Sequence, residues 1–502
     1  MRKVLILFGM LVALVMITGG VILWLLQDPN RYKPELESLI ADAMGIDLRI
    51  DGDLSWQLWP PVTLRAADLS FADEETNYQL GALAVQADLR SLLTGDRELK
   101  LQNIRVSDLV ITDKELGDIT RVHRLQLDNF AVGKPSPLSV QATLESPDDP
   151  AVEVALQAQL TYNQKADSGA LQDMSFDYDG IKGTCDVALS HLGREPPRKD
   201  KRSKEDVLPL TTFNSMDWVA DCSLPEYALQ GTAIHDITVH SENKAAHSRN
   251  IIKVLDLFGG SLQLTAEIDA VRKHPAWKIE TDARDLDSQQ VASLISPRLK
   301  WAAPLLVSGV FTMTGNTPQA MVNSMAGTSR VDAGQGDIDI SMLKKAMMDI
   351  AMLAGKSEQI ANWPEQLHYT TFAGDWTIEG TQQNLALVLD NINLDGKGEV
   401  NALTGVLDMA LSITINEHAT LDVLNVNKAL YGIPIPVRCK GSMTEPQCGL
   451  DTSASERIVK DIAAGQARRK VDEKLDEAIA DKVPEAYQED AKKLIEGLLK
   501  RK

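Results

Sequence analysis

The histidines stand at positions 123, 191, 235, 240, 247, 274, 368 and 418, and any acid–base or metal chemistry would have to start from them. An imidazole becomes a ligand or a proton carrier when a second ligand or an orienting carboxylate comes at a fixed spacing. Here no HExxH, G-x-S-x-G, Walker A or dinucleotide-binding glycine pattern accompanies them. Asp51-Gly52-Asp53 resembles the opening of a calcium loop but lacks the spaced ligands and the distal Glu. Gly396-Lys397-Gly398 lacks a third glycine, and both fragments read as turns. The expectation is a protein that is not an enzyme, with no catalytic residue, metal site or cofactor.

Cysteine chemistry is the other possibility. Cys185, Cys222, Cys439 and Cys448 make an even set with no C-x-x-C spacing. Cys439 and Cys448 flank the turn-rich KGSMTEPQ, and Cys185 and Cys222 end strand-like segments on either side of a charged stretch. Pairing sequence neighbours gives 185–222 and 439–448, one of the possible connectivities; free thiols at all four positions are the alternative.

The elements that would position such groups begin with an uncharged run at residues 4–26. In a helix it reaches roughly 35 Å, enough to cross a bilayer. Arg2 and Lys3 precede it, so the first residues are expected in the cytoplasm and the bulk of the chain beyond the membrane. A cleaved signal peptide competes, but the run ends in Trp24-Leu25-Leu26 rather than in small residues. Trp24, Trp56 and Trp59 are candidates for the membrane interface, and packing of Trp56 and Trp59 onto their own hairpin is the plainer reading.

With 51 basic and 71 acidic residues the net charge is −20, which argues against nucleic acid as a partner. Phe, Tyr and Trp number 8 each, so aliphatic residues must form the apolar surfaces.

Residues 30–45 carry Leu36, Leu39, Ile40 and Ala43 on one helical stripe with Gly45 placed to end it. Ile46, Leu48 and Ile50 alternate up to Asp51-Gly52, which suits a tight hairpin turn, and Leu54, Trp56 and Leu58 alternate down the other side. Period-two alternation then dominates. Leu138, Val140, Ala142 and Leu144 alternate with polar residues, as do Val152, Val154, Leu156, Ala158 and Leu160. So do Leu262, Leu264, Ala266 and Ile268, then Leu385, Leu387 and Leu389, then Leu411, Ile413 and Ile415. Within this alternation helices are expected at 287–300 and 341–355. The fold class is mainly β, with one N-terminal transmembrane helix, a large antiparallel sheet and few short helices. A sandwich, a barrel or a single curled sheet would each satisfy the alternation; scarce aromatics lean toward the last.

DPNRYKPELESLIADAMGIDLRIDGDLSWQLWP, at residues 28–60, resembles the start of the AsmA family of Gram-negative envelope proteins. The order is the same: inner-membrane anchor, Asp-Pro-Asn stretch, short helix, then an I-x-G-D-L-x-W hairpin. Residues 324–347 and 432–451 resemble later family segments, whereas 193–206 and the last fifty residues match nothing in it. The family is similar to bridge-like lipid-transfer proteins. The resemblance therefore implies an elongated, taco-like β-groove carrying phospholipid from the inner toward the outer membrane. It implies an anchor at 1–27, an N-terminal domain at 28–165 and a continuing groove at 166–451. The groove would be continuous and open near the anchor, lined by Leu138, Val140, Leu144, Val154, Leu156, Leu262, Leu264, Leu385, Leu387, Leu411 and Ile413. The disulfides would hold register without touching the lipid.

Residues 193–206, GREPPRKDKRSKED, read as a solvated loop, with headgroup capture by its basic residues as the alternative. Residues 452–502 read as an amphipathic helical tail with a basic end, suited to a membrane surface, to an envelope or outer-membrane protein, or to packing on the last strands. The partners expected are membrane phospholipids and the inner membrane. The competing function is an assembly factor for outer-membrane proteins; an anchored enzyme is the remote third.

Overall fold

The computed structural model describes residues 29–44, 47–57, 62–73, 75–88, 100–196, 203–229, 231–295, 300–341, 343–345, 347–348, 358–417 and 431–451. The anchor at 1–27, Trp24, Trp59 and the tail at 452–502 lie outside them, and among the described residues no helix is long and apolar enough to cross a membrane. The chain divides into two compact units, residues 1–257, 261–281 and 312–321, and residues 258–260, 282–311 and 322–502.

In the first unit a 3-10 turn (Pro29–Tyr32) leads into α1 (Lys33–Met44). The short strands β1 (Arg49–Ile50) and β2 (Leu54–Gln57) follow. Asp51-Gly52 is not a hairpin turn between them: both pair with β3 (Val62–Ala72) as one interrupted edge strand. The Asp51 amide donates to the Asp68 carbonyl and the Ala67 amide to the Asp53 carbonyl, so residues 51–53 bulge against β3. Glycine is needed there for close approach, since a Cβ on Gly52 would lie 2.7 Å from the Ala67 carbonyl oxygen. The edge is sealed by side chains: the Ile50 amide donates to Glu37 Oε1 at 2.7 Å and the Leu54 amide to Asn30 Oδ1 at 2.9 Å.

An antiparallel ladder of sequential neighbours continues through β4 (Thr76–Asp88), β5 (Lys100–Asp113), β6 (Ile119–Asp128), β7 (Ser136–Ser146), β8 (Asp149–Asn163), β9 (Ser168–Tyr178) and β10 (Ile181–Ser190). After α2 (Leu210–Ser215) come β11 (Asp217–Leu229), β12 (Thr232–Lys244) and β13 (His247–Leu257), paired in the same way. Strands β14 (Gly260–Asp269) and β15 (Ala276–Asp287) follow.

Simple alternation breaks at a recurring element. Asp68, Asp108, Asp173, Asp236 and Asp285 each sit inside a strand with φ between 49° and 56°. Aspartate enters the left-handed region more easily than most residues, and this conformation turns the next side chain back onto the face just left. Ala66 and Leu69 are therefore buried together, as are Val106 and Leu109, although residues so spaced in a regular strand face opposite sides. Asp68 stands opposite Gly81, Gly81 opposite Asp108, and Asp108 opposite His123, which draws a crease across β3 to β6. A second crosses β11 to β13 at Pro225, Asp236 and Leu255.

In the second unit α3 (Ser288–Ile295) lies within the helix expected at 287–300. A small sheet joins β16 (Trp301–Ala302), β19 (Gly336–Asp339) and β20 (Gln366–Tyr369). Between its strands run β17 (Pro304–Thr314), α4 (Pro318–Ser324), β18 (Ala326–Asp332) and α5 (Glu358–Ala361). An antiparallel ladder runs from β18 through β21 (Phe372–Glu379), β22 (Gln382–Leu389), β23 (Ile392–Asn401), β24 (Val406–Ile415) and β25 (Ile435–Ser442) to β26 (Pro446–Leu450). The helix expected at 341–355 is present at the described positions 341, 343–345 and 347–348.

Candidate functional site

Directly opposed residues in an antiparallel pair share a face, so the register assembles the apolar alternation into rows that cross the strands. One row runs Leu125, Val140, Leu156 and Phe176 across β6 to β9. Its neighbour joins Val122, Ala142, Val154 and Tyr178. In the second unit, Leu387, Leu394, Ile413 and Ile435 form a row across β22 to β25, and Leu411 pairs with Val437.

Burial changes along these rows. Under α1, Ile40 is 0% exposed and packs with Leu64, Leu83, Val106 and Leu127, a closed core. The end expected to open near the anchor is thus the most buried part, because Ile40 and Leu36 of the amphipathic helix cover it. From β7 onward the larger side chains of the same face are mostly half exposed, while Ala142, Ala158, Ile237 and Val254 on it are buried. Leu138, Val140, Leu144, Val154, Leu156, Leu262 and Leu264 are all intermediate, and Tyr178 is 44% exposed. In the second unit Leu385, Leu387 and Leu411 are intermediate as well. Ile413 differs: it is 6% exposed in a core with Met347, Ile360 and Trp363, which the segment before β20 lays over β23 to β25. Each unit thus has a covered stretch on its own apolar face, under α1 in the first and under the segment before β20 in the second. Trp56 is half buried against the core under α1 and lies opposite Leu64.

Cys185 is bonded to Cys222 and Cys439 to Cys448, each pair directly opposed across neighbouring strands. Both bridges lie on the apolar face. Cys185 pairs in register with Met174 and Cys222 with Val239, while Cys439 pairs with Met409 and belongs to the second core. Bridges expected to hold register without touching lipid thus stand on the same face as the groove candidates. The signal was in the sequence: Cys439 continues the alternation of Ile435 and Val437, and Cys185 precedes Val187 and Leu189 at the same parity.

A polar feature that the sequence reading missed lies at the end of β11. The carboxylate of Asp217 accepts both Arg194 guanidinium nitrogens, at 2.7 and 3.0 Å, and the Ala245 amide at 2.9 Å, and His191 Nδ1 lies 2.9 Å away. Burial alone would raise its pKa; the hydrogen bonds from Arg194 and Ala245 and the charge of Arg194 outweigh that and hold it below the usual carboxylate range. This hub fixes the start of the charged stretch, and Asn316 fixes its other end through a double hydrogen bond to the Leu208 amide and carbonyl. Lys204 between them is bonded to Asp148 at 2.9 Å.

An open depression of about 810 Å³ in β9 to β13 is lined by Thr184, Asp186, Asp221, Ser223, Thr238 and His240, with the first disulfide beside them. His240 Nδ1 lies 2.7 Å from Asp221 Oδ1, and the Asp186 carboxylate accepts the Asp173 amide at 2.8 Å. These partners occupy the obvious chemistry of the patch. Among the described residues no group of three or more His, Cys, Asp or Glu is placed to hold a metal ion.

No curated protein and no solved structure matches the chain. The model of the AsmA family matches residues 1–109, the stretch that holds the apolar run, α1 and the first strands of the ladder, and over that stretch the chain is similar to the AsmA family.

Proposed function

We propose that the protein carries phospholipid acyl chains on its apolar sheet face, anchored in the inner membrane through residues 4–26 and working in the periplasm toward the outer membrane. The observation that carries this reading is the half-exposed state of Leu138, Val140, Leu144, Val154, Leu156, Leu262 and Leu264 on one apolar face between β7 and β14, where a sandwich or closed barrel would bury them. Exposing a methylene to water costs about 0.8 kcal/mol, so an acyl chain laid on that face and the face itself both gain from contact. The face then acts as a curled groove, with headgroups left in water at its margin. Lipid movement along it needs no bond-making step, in keeping with the absence of catalytic motifs from the sequence.

The test is to extract the full chain in mild detergent and identify bound lipid by mass spectrometry. A photo-crosslinking residue is then placed at Leu156 and Leu387, with Gln157 and Val388 on the opposite face as controls. Phospholipid adducts at the first pair and not at the second support the reading. Equal labelling at all four, or no co-purified lipid, refutes it.

A further inference from the structure

In the first unit, strands alternate in direction, so the β7–β8 turn at 147–148 lies on one margin of the sheet and the β10–β11 junction on the other. The β12–β13 turn is on the junction's side, and several bonds knit that side together. The Ala270 amide donates to the Ala246 carbonyl, Asn214 Nδ2 of α2 to the Ala270 carbonyl, and the Gly315 amide to the Pro275 carbonyl. Asn316, 7% exposed, stands in this margin and holds the chain just before α2. Besides its two bonds with Leu208, its backbone carbonyl accepts the Val207 amide at 2.8 Å.

Four residues before Leu208, Lys204 Nζ meets Asp148 on the opposite margin, at 2.9 Å. Four residues of extended chain cover at most about 14 Å. A flat sheet would hold those margins about 46 Å apart over β8 alone, which runs from Asp149 to Asn163. The sheet therefore curls until its margins approach, and residues 203–208 span the gap. The span lies on the apolar side. It continues into α2, whose Phe213 ring meets the Trp218 ring edge-on at 4.9 Å, and Trp218 shares the face of Cys222 four residues along β11.

The ends of the span are held unequally. Three hydrogen bonds to a buried asparagine fix residues 207–208. The other end has one ion pair, Lys204–Asp148, with both side chains more than half exposed, a kind that contributes little and is screened by salt. The tip keeps its own shape: the Ser203 amide donates to Asp206 Oδ2 at 2.8 Å and the Asp206 amide to the Ser203 carbonyl at 3.0 Å. It brings Glu205 and Asp206 to a margin that already carries Asp118, Asp148 and Asp149, so like-charge repulsion works against the one attractive pair.

We propose that residues 203–208 form a strap across the mouth of the curled sheet, hinged at Asn316 and latched at Asp148, whose release lets an acyl chain enter the apolar face from the side. The inference rests on the proposed lipid-carrying face and adds to it the control of entry. A base of buried hydrogen bonds with a weak, exposed latch lets a segment swing as a unit while its root stays packed.

The experiment measures uptake of phosphatidylethanolamine with a fluorescent acyl chain by the full chain in mild detergent. Lys204→Glu should take up the probe roughly two- to fivefold faster than wild type at low salt, and should lack the acceleration that salt produces in wild type. The charge-swapped K204D/D148K should restore both the slower rate and the salt response. To lock the strap, a photo-crosslinking residue replaces Glu205. Irradiation should join it to residues 146–149, as read by peptide mapping, and slow uptake by roughly tenfold. Adducts elsewhere, uptake unchanged after crosslinking, or a Lys204→Glu protein with the rate and salt response of wild type each overturn the strap while leaving the apolar face standing. Failure of wild-type, unlatched and crosslinked proteins alike to capture the probe overturns the lipid-carrying reading and the strap's role with it.

Discussion

Replacing Asp108 with valine tests whether the left-handed aspartates shape the sheet. Asp108 has φ +56°, and its Cβ lies 3.0 Å from where a Cβ on Gly81 would stand. Valine at that φ is a steric outlier costing about 1–3 kcal/mol, and its second Cγ points into the close approach of β4. The strand can escape by regularising, but then Leu109, now 4% exposed, leaves the core under α1. Full exposure of a leucine costs about 1.5–3 kcal/mol. Both routes converge on a loss of about 2–3 kcal/mol for Asp108→Val. Asp108→Asn keeps a residue tolerant of the left-handed region, and Asp108→Gly removes the steric cost at the expense of chain entropy, so each stays within about 1 kcal/mol of wild type. Urea unfolding followed by circular dichroism should place the valine midpoint lower by about 1 M, with asparagine and glycine near the parent. If valine is tolerated as well as glycine, the backbone conformation is not the constraint and the crease has another cause.

Leu156→Asp and Leu387→Asp should cost about 1–2 kcal/mol because these side chains are already half in water, yet abolish lipid transfer between labelled vesicles; Ile413→Asp, inside the second core, should cost more than about 4 kcal/mol and give unfolded protein. Removing the bridge between Cys185 and Cys222, whose loop spans 37 residues, should cost about 4 kcal/mol, and removing that between Cys439 and Cys448, spanning 9, about 2.5 kcal/mol, both read from urea midpoints. Asp217 is held below its ordinary pKa, so its ion pair stabilises the fold above the unfolded value of about 4 and is lost as pH falls below it. Asp217→Asn should therefore be less stable than wild type at pH 7 by about 3 kcal/mol, with the gap closing below pH 4 as followed by tryptophan fluorescence.

Where one face is wet and the other apolar, alternation of period two is a direct readout of orientation, and this is why the strands around Leu138, Val154, Leu385 and Leu411 were legible in the sequence. Three things were not. Asp51-Gly52 has turn composition, but what it serves is a bulge against β3, a contact with residues far along the chain. The creases were written as a repeated pattern, apolar, any residue, Asp, apolar, at 66–69, 106–109, 171–174, 234–237 and 283–286. Each copy looks like a lapse in alternation when scanned for period two alone. The covered ends needed tertiary knowledge: α1 was visible as an amphipathic stripe, but which rows it would lie on follows only from the register.

The shortage of aromatic residues acquires a physical meaning once the glycines of the apolar face are placed. A Cβ on Gly374 would stand 2.1 Å from Leu387 Cδ2, one on Gly396 2.9 Å from Leu411 Cδ2, and one on Gly183 2.5 Å from the Phe176 ring. Each glycine lies directly opposite the large residue, or one strand over in the same row, so the side chain leans into the slot instead of standing away from the sheet. A face whose bulk is folded into glycine slots has low relief across its strands. Packed sheets gain by interdigitation, in which tall side chains from one layer enter gaps in the other. Low relief forfeits that gain and suits a fluid apolar occupant, whose chain conformers accommodate a smooth wall at little cost. The same glycine slots go with the half-exposed leucines beside them, and they would favour the proposed acyl chain over a second sheet.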